Sequence, residues 1–166
     1  MSGFTDIPFT KFIECMWRES DIEPAGGDGR SAAAHFSHVP PLVLAYVGDA
    51  IHEVYIRGRL ARDAFGSVHK LHVEATGYVR CDSQAEVIRS ISEALTEDER
   101  DIVRRGRNAH SGYVPKNANV ADYRHATGFE ALLGYLYFNQ NFDRLNHLLN
   151  LSYQRAAERN GKAVIE

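Results

Sequence analysis

Asp49 and Glu130 are the two acids whose surroundings are hardest to reconcile with ordinary solvation. Asp49 lies in Pro41-Leu42-Val43-Leu44-Ala45-Tyr46-Val47-Gly48-Asp49-Ala50-Ile51-His52-Glu53-Val54-Tyr55-Ile56-Arg57. Read as a helix, this stretch puts Leu44, Val47, Ile51, Val54 and Gly58 on one face and Leu42, Ala45, Asp49 and Ile56 on the other. A helix apolar on nearly every side is expected to be buried. An ionised carboxylate in such a place needs a base, a backbone cap or a metal. Glu130 repeats the pattern, being the one charged residue between Ala126 and Phe138. Packed together, two such helices would bring both acids into one pocket. Hard cations such as Mg²⁺ are held by one or two carboxylates completed by water and substrate phosphate, and a metal there could activate water against a phosphodiester. The plainer alternative is that each acid caps a backbone or pairs with Arg57 or Arg124.

A second group is basic: Arg104, Arg105, Arg107, Asn108, Lys116 and Asn117, around a glycine-containing loop. Arg and Lys suit phosphate oxygens, and Asn suits sugar or base edges. The competing meaning is a solvated helix end that compensates the dipole. Eight histidines raise a zinc alternative through His35-x-x-His38 and His69-x-x-His72. Neither pair has the third and fourth ligands that zinc requires, and His52-Glu53 beside Asp49 is not a zinc motif.

These residues must be positioned by helices. Phe9, Phe12, Ile13 and Met16 or Trp17 would line a short helix over 4–18. The breaker-rich Glu23-Pro24-Ala25-Gly26-Gly27-Asp28-Gly29-Arg30-Ser31 then reads as a linker. Pro40-Pro41 opens the central helix, and Arg57, Arg59 and Arg62 crowd its C-terminal end. A long helix is expected over about 67–91, with Leu71, Ala75, Val79, Ala85 and Ile88 inward and a kink at Gly77. Thr96-Glu97-Asp98-Glu99 is a capping box that starts a helix ending in Arg104-Arg105-Gly106-Arg107-Asn108. Ser111 to Asn119 is a loop, Val120 to Phe138 a helix, and Asn139-Gln140-Asn141 a break. Phe142, Leu145, Leu148 and Leu149 mark a last helix ending near Asn160-Gly161. No segment alternates with period two, so the chain is predicted to be all-α.

The chain has 166 residues, 44% of them hydrophobic and 25% charged, which suits one soluble domain with a real core. A formal net charge of −3 argues against a protein that coats nucleic acid generally, but leaves room for a local basic face. Cys15 and Cys81 lack CxxC spacing and read as reduced thiols. The first residues do not resemble a signal peptide, and no apolar run is long enough for a membrane span. The expectation is a soluble, cytoplasmic protein without a membrane partner.

The stretch Leu44-Ala45-Tyr46-Val47-Gly48-Asp49-Ala50-Ile51 resembles the signature helix of ribonuclease III catalytic domains. Phe129-Glu130-Ala131-Leu132-Leu133-Gly134 resembles the family's second acidic helix. Arg105-Gly106-Arg107-Asn108-Ala109, Ser111-Gly112, Pro115-Lys116-Asn117, Tyr123-Arg124 and Phe129 to Tyr137 follow in the order and spacing of its short branch, Mini-ribonuclease III. The resemblance covers roughly residues 40–150. It implies a ribonuclease III-type helical bundle over 40–166, with 1–39 an N-terminal segment and linker. It also implies a homodimeric endonuclease for double-stranded RNA, dependent on Mg²⁺ with Mn²⁺ as a substitute, giving 5′-phosphate and 3′-hydroxyl ends. Asp49 matches the signature aspartate and Glu130 the essential glutamate, both catalytic metal ligands. Tyr46 falls where larger relatives insert an aromatic side chain into the partner subunit.

Larger relatives carry further acids at the positions of Leu42, Ala45 and Thr127, which are absent here. Water, phosphate or a neighbour such as Glu53, one turn after Asp49, would have to complete the metal shell. No room remains for a separate double-stranded-RNA-binding domain, so the basic cluster of Arg105, Arg107, Asn108, Lys116 and Asn117 is the expected grip on A-form RNA. The branch's usual substrate is the stem of precursor large-subunit (23S) ribosomal RNA, with ribosomal proteins or pre-ribosomal particles as further partners. Two rivals remain at this point: a non-catalytic RNA-binding module on the same fold, and a helical zinc or metabolite-binding protein.

Overall fold

Pro41 begins the first long helix and supplies its fixed φ where no amide partner is needed. The computed structural model describes residues 38–63, 66–109 and 119–161, together with Phe9, Lys11, Ile13, Glu14 and Phe36. These residues form α1 (Pro41–Asp63), α2 (Val68–Val79), α3 (Cys81–Ser90), a 3₁₀ turn (Ser92–Ala94), α4 (Glu97–Asn108), α5 (Val120–Phe138) and α6 (Phe142–Arg159). The described residues include no strand, in agreement with the all-α expectation. None of their helices is long and apolar enough to cross a membrane.

The centre of the bundle is α5. Ala126 to Phe129, Ala131 to Gly134 and Leu136 are all buried, because α1, α3, α4 and α6 pack around it. Continuous apolar sequence is what a helix surrounded on every side requires. By contrast, α6 is amphipathic: Leu145, Leu148, Leu149, Ser152, Ala156 and Ala157 form its inward stripe. The N-terminal residues that are described also join the core. Ile13 is buried, and Phe9 meets the Tyr55 ring edge-on at 5.0 Å. Phe12, Met16, Trp17 and the expected linker at 23–31 lie outside the described residues.

Two elements depart from the sequence expectation. The helix foreseen over 67–91 is divided at Arg80, not kinked at Gly77; Arg80 is extended (φ −62°, ψ 146°). The break is stabilised locally. The Asp82 carboxylate accepts from the Ser83 amide at 2.9 Å, and the Ser83 hydroxyl donates to the Gly77 carbonyl at 3.1 Å. Arg159 of α6 donates to Ser83 Oγ from outside. The restart turns Ser83, Gln84 and Ala85 inward.

The second departure concerns α1, which is not buried all round within one chain. Leu44, Ala45, Gly48, Ile51, His52, Tyr55, Ile56 and Leu60 face the core, whereas Leu42, Val43, Tyr46 and Val54 are exposed. The helix lies at the side of the bundle, so only one face meets α5.

The capping box at Thr96 forms as expected, with Glu99 Oε2 accepting from the Thr96 amide and Thr96 Oγ1 from the Glu99 amide. Glu99 also has a tertiary role. It is 4% exposed, and the Arg144 guanidinium of α6 donates to both its oxygens at 3.0 Å. A paired fork of this kind satisfies a buried carboxylate and fastens α6 to the start of α4.

Candidate active site

The two acids are brought together by glycine. A Cβ on Gly48 would lie 1.8 Å from the Glu130 carbonyl oxygen, and one on Gly134 would lie 2.0 Å from the Leu44 carbonyl oxygen. The backbones of α1 and α5 therefore touch, one residue before Asp49 and at Glu130 itself. Gly106 and Gly128 make a similar close approach between α4 and α5. Helix-interior glycine costs about 1 kcal/mol against alanine, and here the missing side chain is what lets the backbones meet.

Both acids are raised above their ordinary values, and Asp49 contributes to the shift of Glu130. Burial is the main force on Glu130, the charge of Asp49 adds to it, and together they push its carboxyl up to about 8 against the smaller opposing influence of the Gln84 amide. Asp49 lies on the exposed side of α1, not enclosed as the sequence suggested, and its carboxyl is raised by partial burial first and by Glu53 second, with Arg57 opposing. Glu53 is itself committed to Arg57, Oε2 to Nε being 2.7 Å. Like charges held together with no cation among the forces on Glu130 form a site that a divalent ion would relieve. Among the described residues no group of three or more His, Cys, Asp or Glu could hold a metal. The acids at hand are thus a pair, and water and phosphate would supply the rest of the shell.

Of the positions where larger relatives carry acids, Leu42 lies at the surface and Ala45 is buried. The Thr127 hydroxyl donates to the Tyr123 carbonyl of its own helix at 3.1 Å. The i, i+3 pair His69 and His72 is exposed on α2; His35 lies outside the described residues.

Sequence reasoning missed the polar residues behind Glu130. Gln84 is 1% exposed, and His52 and Ser152 are equally enclosed. His52 Nε2 lies 2.7 Å from Ser152 Oγ, and His52 Nδ1 lies 3.1 Å from Gln84 Nε2. Burial holds the His52 imidazole down at about 4, so it is neutral at physiological pH. The ring also stands edge-on to Phe129 at 5.6 Å. A signal was available in the periodicity: Gln84 shares the inward face of Ala85 and Ile88, and His52 that of Gly48 and Tyr55. A polar residue in a core stripe has to be satisfied by something.

The basic group is divided by the fold. Arg105 is drawn inward and donates to the Val39 carbonyl at 3.1 Å, tying α4 to the entry of α1. Arg107 and Asn108 are exposed at the end of α4; Lys116 and Asn117 lie outside the described residues. Arg104 pairs with Asp101. Arg89, Arg100, Arg104, Arg107 and His125 rim a groove of about 410 Å³ over an apolar floor of Ile88, Leu95 and Val103. Neither Asp49 nor Glu130 lines that groove. Tyr46 is 81% exposed and continues the apolar surface of Val43 and Val54 along α1.

Comparison with known proteins agrees with this architecture. The Ribonuclease III domain family matches residues 42–141. The Mini-ribonuclease 3 of Thermoanaerobacter sp. (strain X514) is 50% identical over 114 residues, 69% of this chain and 80% of that relative. The Mini-ribonuclease 3 of Enterococcus faecalis is 46% identical over 123 residues, 73% of this chain and 93% of the relative. A crystal structure of a Fusobacterium nucleatum protein superposes with a TM-score of 0.65 at 25% identity, covering 70% of this chain and 93% of the other. With its helical core, its paired acids and these relatives, the chain belongs to the ribonuclease III family, in the Mini-ribonuclease III branch, and is an endoribonuclease.

Proposed function

We propose that this endoribonuclease cleaves double-stranded RNA as a Mg²⁺-dependent homodimer, and that its substrate is the stem of precursor 23S ribosomal RNA. The observation that carries the metal dependence is the Asp49–Glu130 pair: both carboxyls are raised, Glu130 by burial and then by the charge of Asp49, with no cation among the forces on Glu130. Asp49 and Glu130 would hold the ion. When bound, Mg²⁺ supplies water of lowered pKa and charge for the departing oxygen. Asp49 and Glu130 keep their carboxylates in register through the glycine contact of α1 and α5. Water adds to phosphorus as the bond to the 3′ oxygen breaks, leaving 5′-phosphate and 3′-hydroxyl ends. Arg107 and Asn108, exposed at the end of α4, would grip the duplex backbone, and such contacts weaken steeply with salt.

The test is incubation of the purified protein with long double-stranded RNA at low salt, in Mg²⁺ or in EDTA. Fragments that appear with Mg²⁺ alone are expected. Equal cutting in EDTA, or cutting of single strands only, would overturn the reading.

The exposed apolar side of α1 supports a dimer interface there. An aromatic residue 81% exposed on such a surface fits a partner pocket better than water. Tyr46→Arg should weaken self-association by about 2 kcal/mol or more, roughly thirtyfold in dissociation constant. Sedimentation at several protein concentrations reads this directly, and an unchanged dimer would remove Tyr46 from the interface.

A further inference from the structure

We propose that the groove between α3 and α4 takes up one unpaired nucleotide of the RNA substrate at the edge of its duplex, the base lying on the apolar floor and the neighbouring phosphates meeting Arg100 and Arg107. The inference rests on the reading that this enzyme acts on double-stranded RNA, and it names the feature of such a substrate that the chain recognises.

Arg100, Val103, Arg104 and Arg107 recur at i, i+3, i+4 and i+7 of α4 and so share one face. Ile88 and Arg89 of α3 and Ser92 of the 3₁₀ turn line the groove with them, and its volume of about 410 Å³ is that of a small-ligand site. The cations are not equivalent. Arg89 is held by Asp122 at 2.7 Å and Arg104 by Asp101, so the rim alternates in sign and is no continuous track for a duplex backbone. Arg100 donates Nη1 to the Leu95 carbonyl at 2.8 Å. The stem of Arg107 rests on Gly128, where a Cβ would come within 3.1 Å of Arg107 Cγ. Both guanidiniums have further N–H groups to give to phosphate oxygens. The His125 ring also lines the groove. Its Nδ1 donates to the Ala121 carbonyl at 2.8 Å, since a carbonyl only accepts. Nε2 is then the nitrogen that a base edge can meet, and the ring adds a face for stacking.

The floor decides between ligands. Ile88, Leu95 and Val103 are 2%, 5% and 8% exposed, so the open apolar strip is narrow. It matches one flat base better than the several side chains that a docked helix inserts, and a phosphate backbone has nothing apolar to place on it. Bases stacked inside an A-form duplex are out of its reach, whereas unpaired ones are held by stacking and apolar contact with arginine beside them. Because the two acids lie outside the groove, recognition and cutting fall at different points along the RNA.

The experiment uses the full chain in EDTA and reads binding by fluorescence anisotropy. Its labelled RNAs are a blunt duplex, the same duplex with single-stranded adenosine extensions, and one whose extensions are abasic. Adenosine extensions should tighten binding at least about fivefold over the blunt duplex. Abasic extensions, which carry the same phosphates, should recover only a small part of that gain. Ser92→Trp, which fills the groove from its exposed edge without changing charge, should remove the gain, and Arg100→Gln should reduce it. Each variant is read as a ratio between two RNAs, so partial unfolding cancels. Equal binding of the three RNAs by the wild type overturns the proposal. A full gain from abasic extensions does so too, as does a gain that survives in Ser92→Trp. Two further probes are AMP and a helical peptide of glutamate and leucine. If either binds the wild type but not Ser92→Trp, while adenosine extensions bring no gain, the groove belongs to free nucleotides or to an acidic protein and the proposal is wrong. A blunt duplex neither bound nor cut with Mg²⁺ marks failure of the double-stranded-RNA reading, and this proposal fails with it. A duplex bound and cut, with no gain from extensions, marks failure of this proposal alone.

Discussion

Glu130→Gln is expected to reduce cleavage by at least about a thousandfold while making the metal-free fold more stable at alkaline pH. The two effects have one cause. An unfolded glutamate titrates near 4.5, but Glu130 is held at about 8, first by burial and then by the charge of Asp49. Between those values the folded chain holds a proton that the unfolded chain has released, so stability falls as pH rises through the window. At about 1.4 kcal/mol per pH unit, the loss amounts to several kcal/mol. Glutamine cannot ionise and does not suffer it.

His52 works in the opposite sense. Its folded value of about 4 lies below the usual 6.5, so stability falls as pH drops through that range. Thermal melts in EDTA between about pH 6.5 and about pH 8.5 therefore largely isolate Glu130. The wild type should lose melting temperature across that interval and Glu130→Gln should not. Added Mg²⁺ should restore the wild type, since a ligand that binds only the folded state stabilises it, and should do little for the variant. Asp49→Asn should be equally inactive, with Glu130 left easier to ionise. Parallel pH slopes in wild type and Glu130→Gln would show that Glu130 is not perturbed in this way. Cutting at wild-type rate by either variant would remove these acids from the chemistry.

Gly48→Ala should be the most damaging small substitution in the bundle. The new methyl would sit 1.8 Å from the Glu130 carbonyl oxygen and 2.8 Å from the Gly134 nitrogen. These obstacles are backbone atoms of a helix held by its own hydrogen bonds, so no side chain can swing aside. Overpacking commonly costs about 1–3 kcal/mol, occasionally more, and this contact belongs at the upper end. A loss of roughly 3 kcal/mol corresponds to about 10 °C in melting temperature for a chain of this size. Any folded remainder must hold α1 and α5 further apart, which separates Asp49 from Glu130 and lowers activity beyond the loss of folded protein. Gly58→Ala on the same helix is the control. It meets nothing within 4 Å and should be neutral, or stabilising by up to about 1 kcal/mol. Equal melting temperatures for the two variants would contradict the close approach.

Much of the fold was legible in the chain. The capping box at Thr96, the break after Phe138 and the inward leucines of α6 are local signals, set by backbone capping and a 3.6-residue period, and they lie where expected. Asp49 and Glu130 stood out because a carboxylate in an apolar helix conflicts with its neighbours, and that conflict is visible without coordinates. What lay beyond the sequence were relations between elements. Periodicity shows that a face is buried but not against what. The break at Arg80 is braced by Arg159 of another helix, and only the bond to the Val39 carbonyl separates Arg105 from Arg107. The apolar character of α1 suggested complete burial, yet only packing against α5 decided that Tyr46 and Val54 would remain outside. Glu99 read as a cap alone until Arg144 reached it. The polar chain behind Glu130 joins residues 32 and 100 positions apart. The sequence by itself determined where the helices run, the inward stripes of the amphipathic ones and which acids needed a partner, because those are properties of single elements. The tertiary structure alone decided which buried groups face one another, because a hydrogen bond depends on where both of its ends are placed.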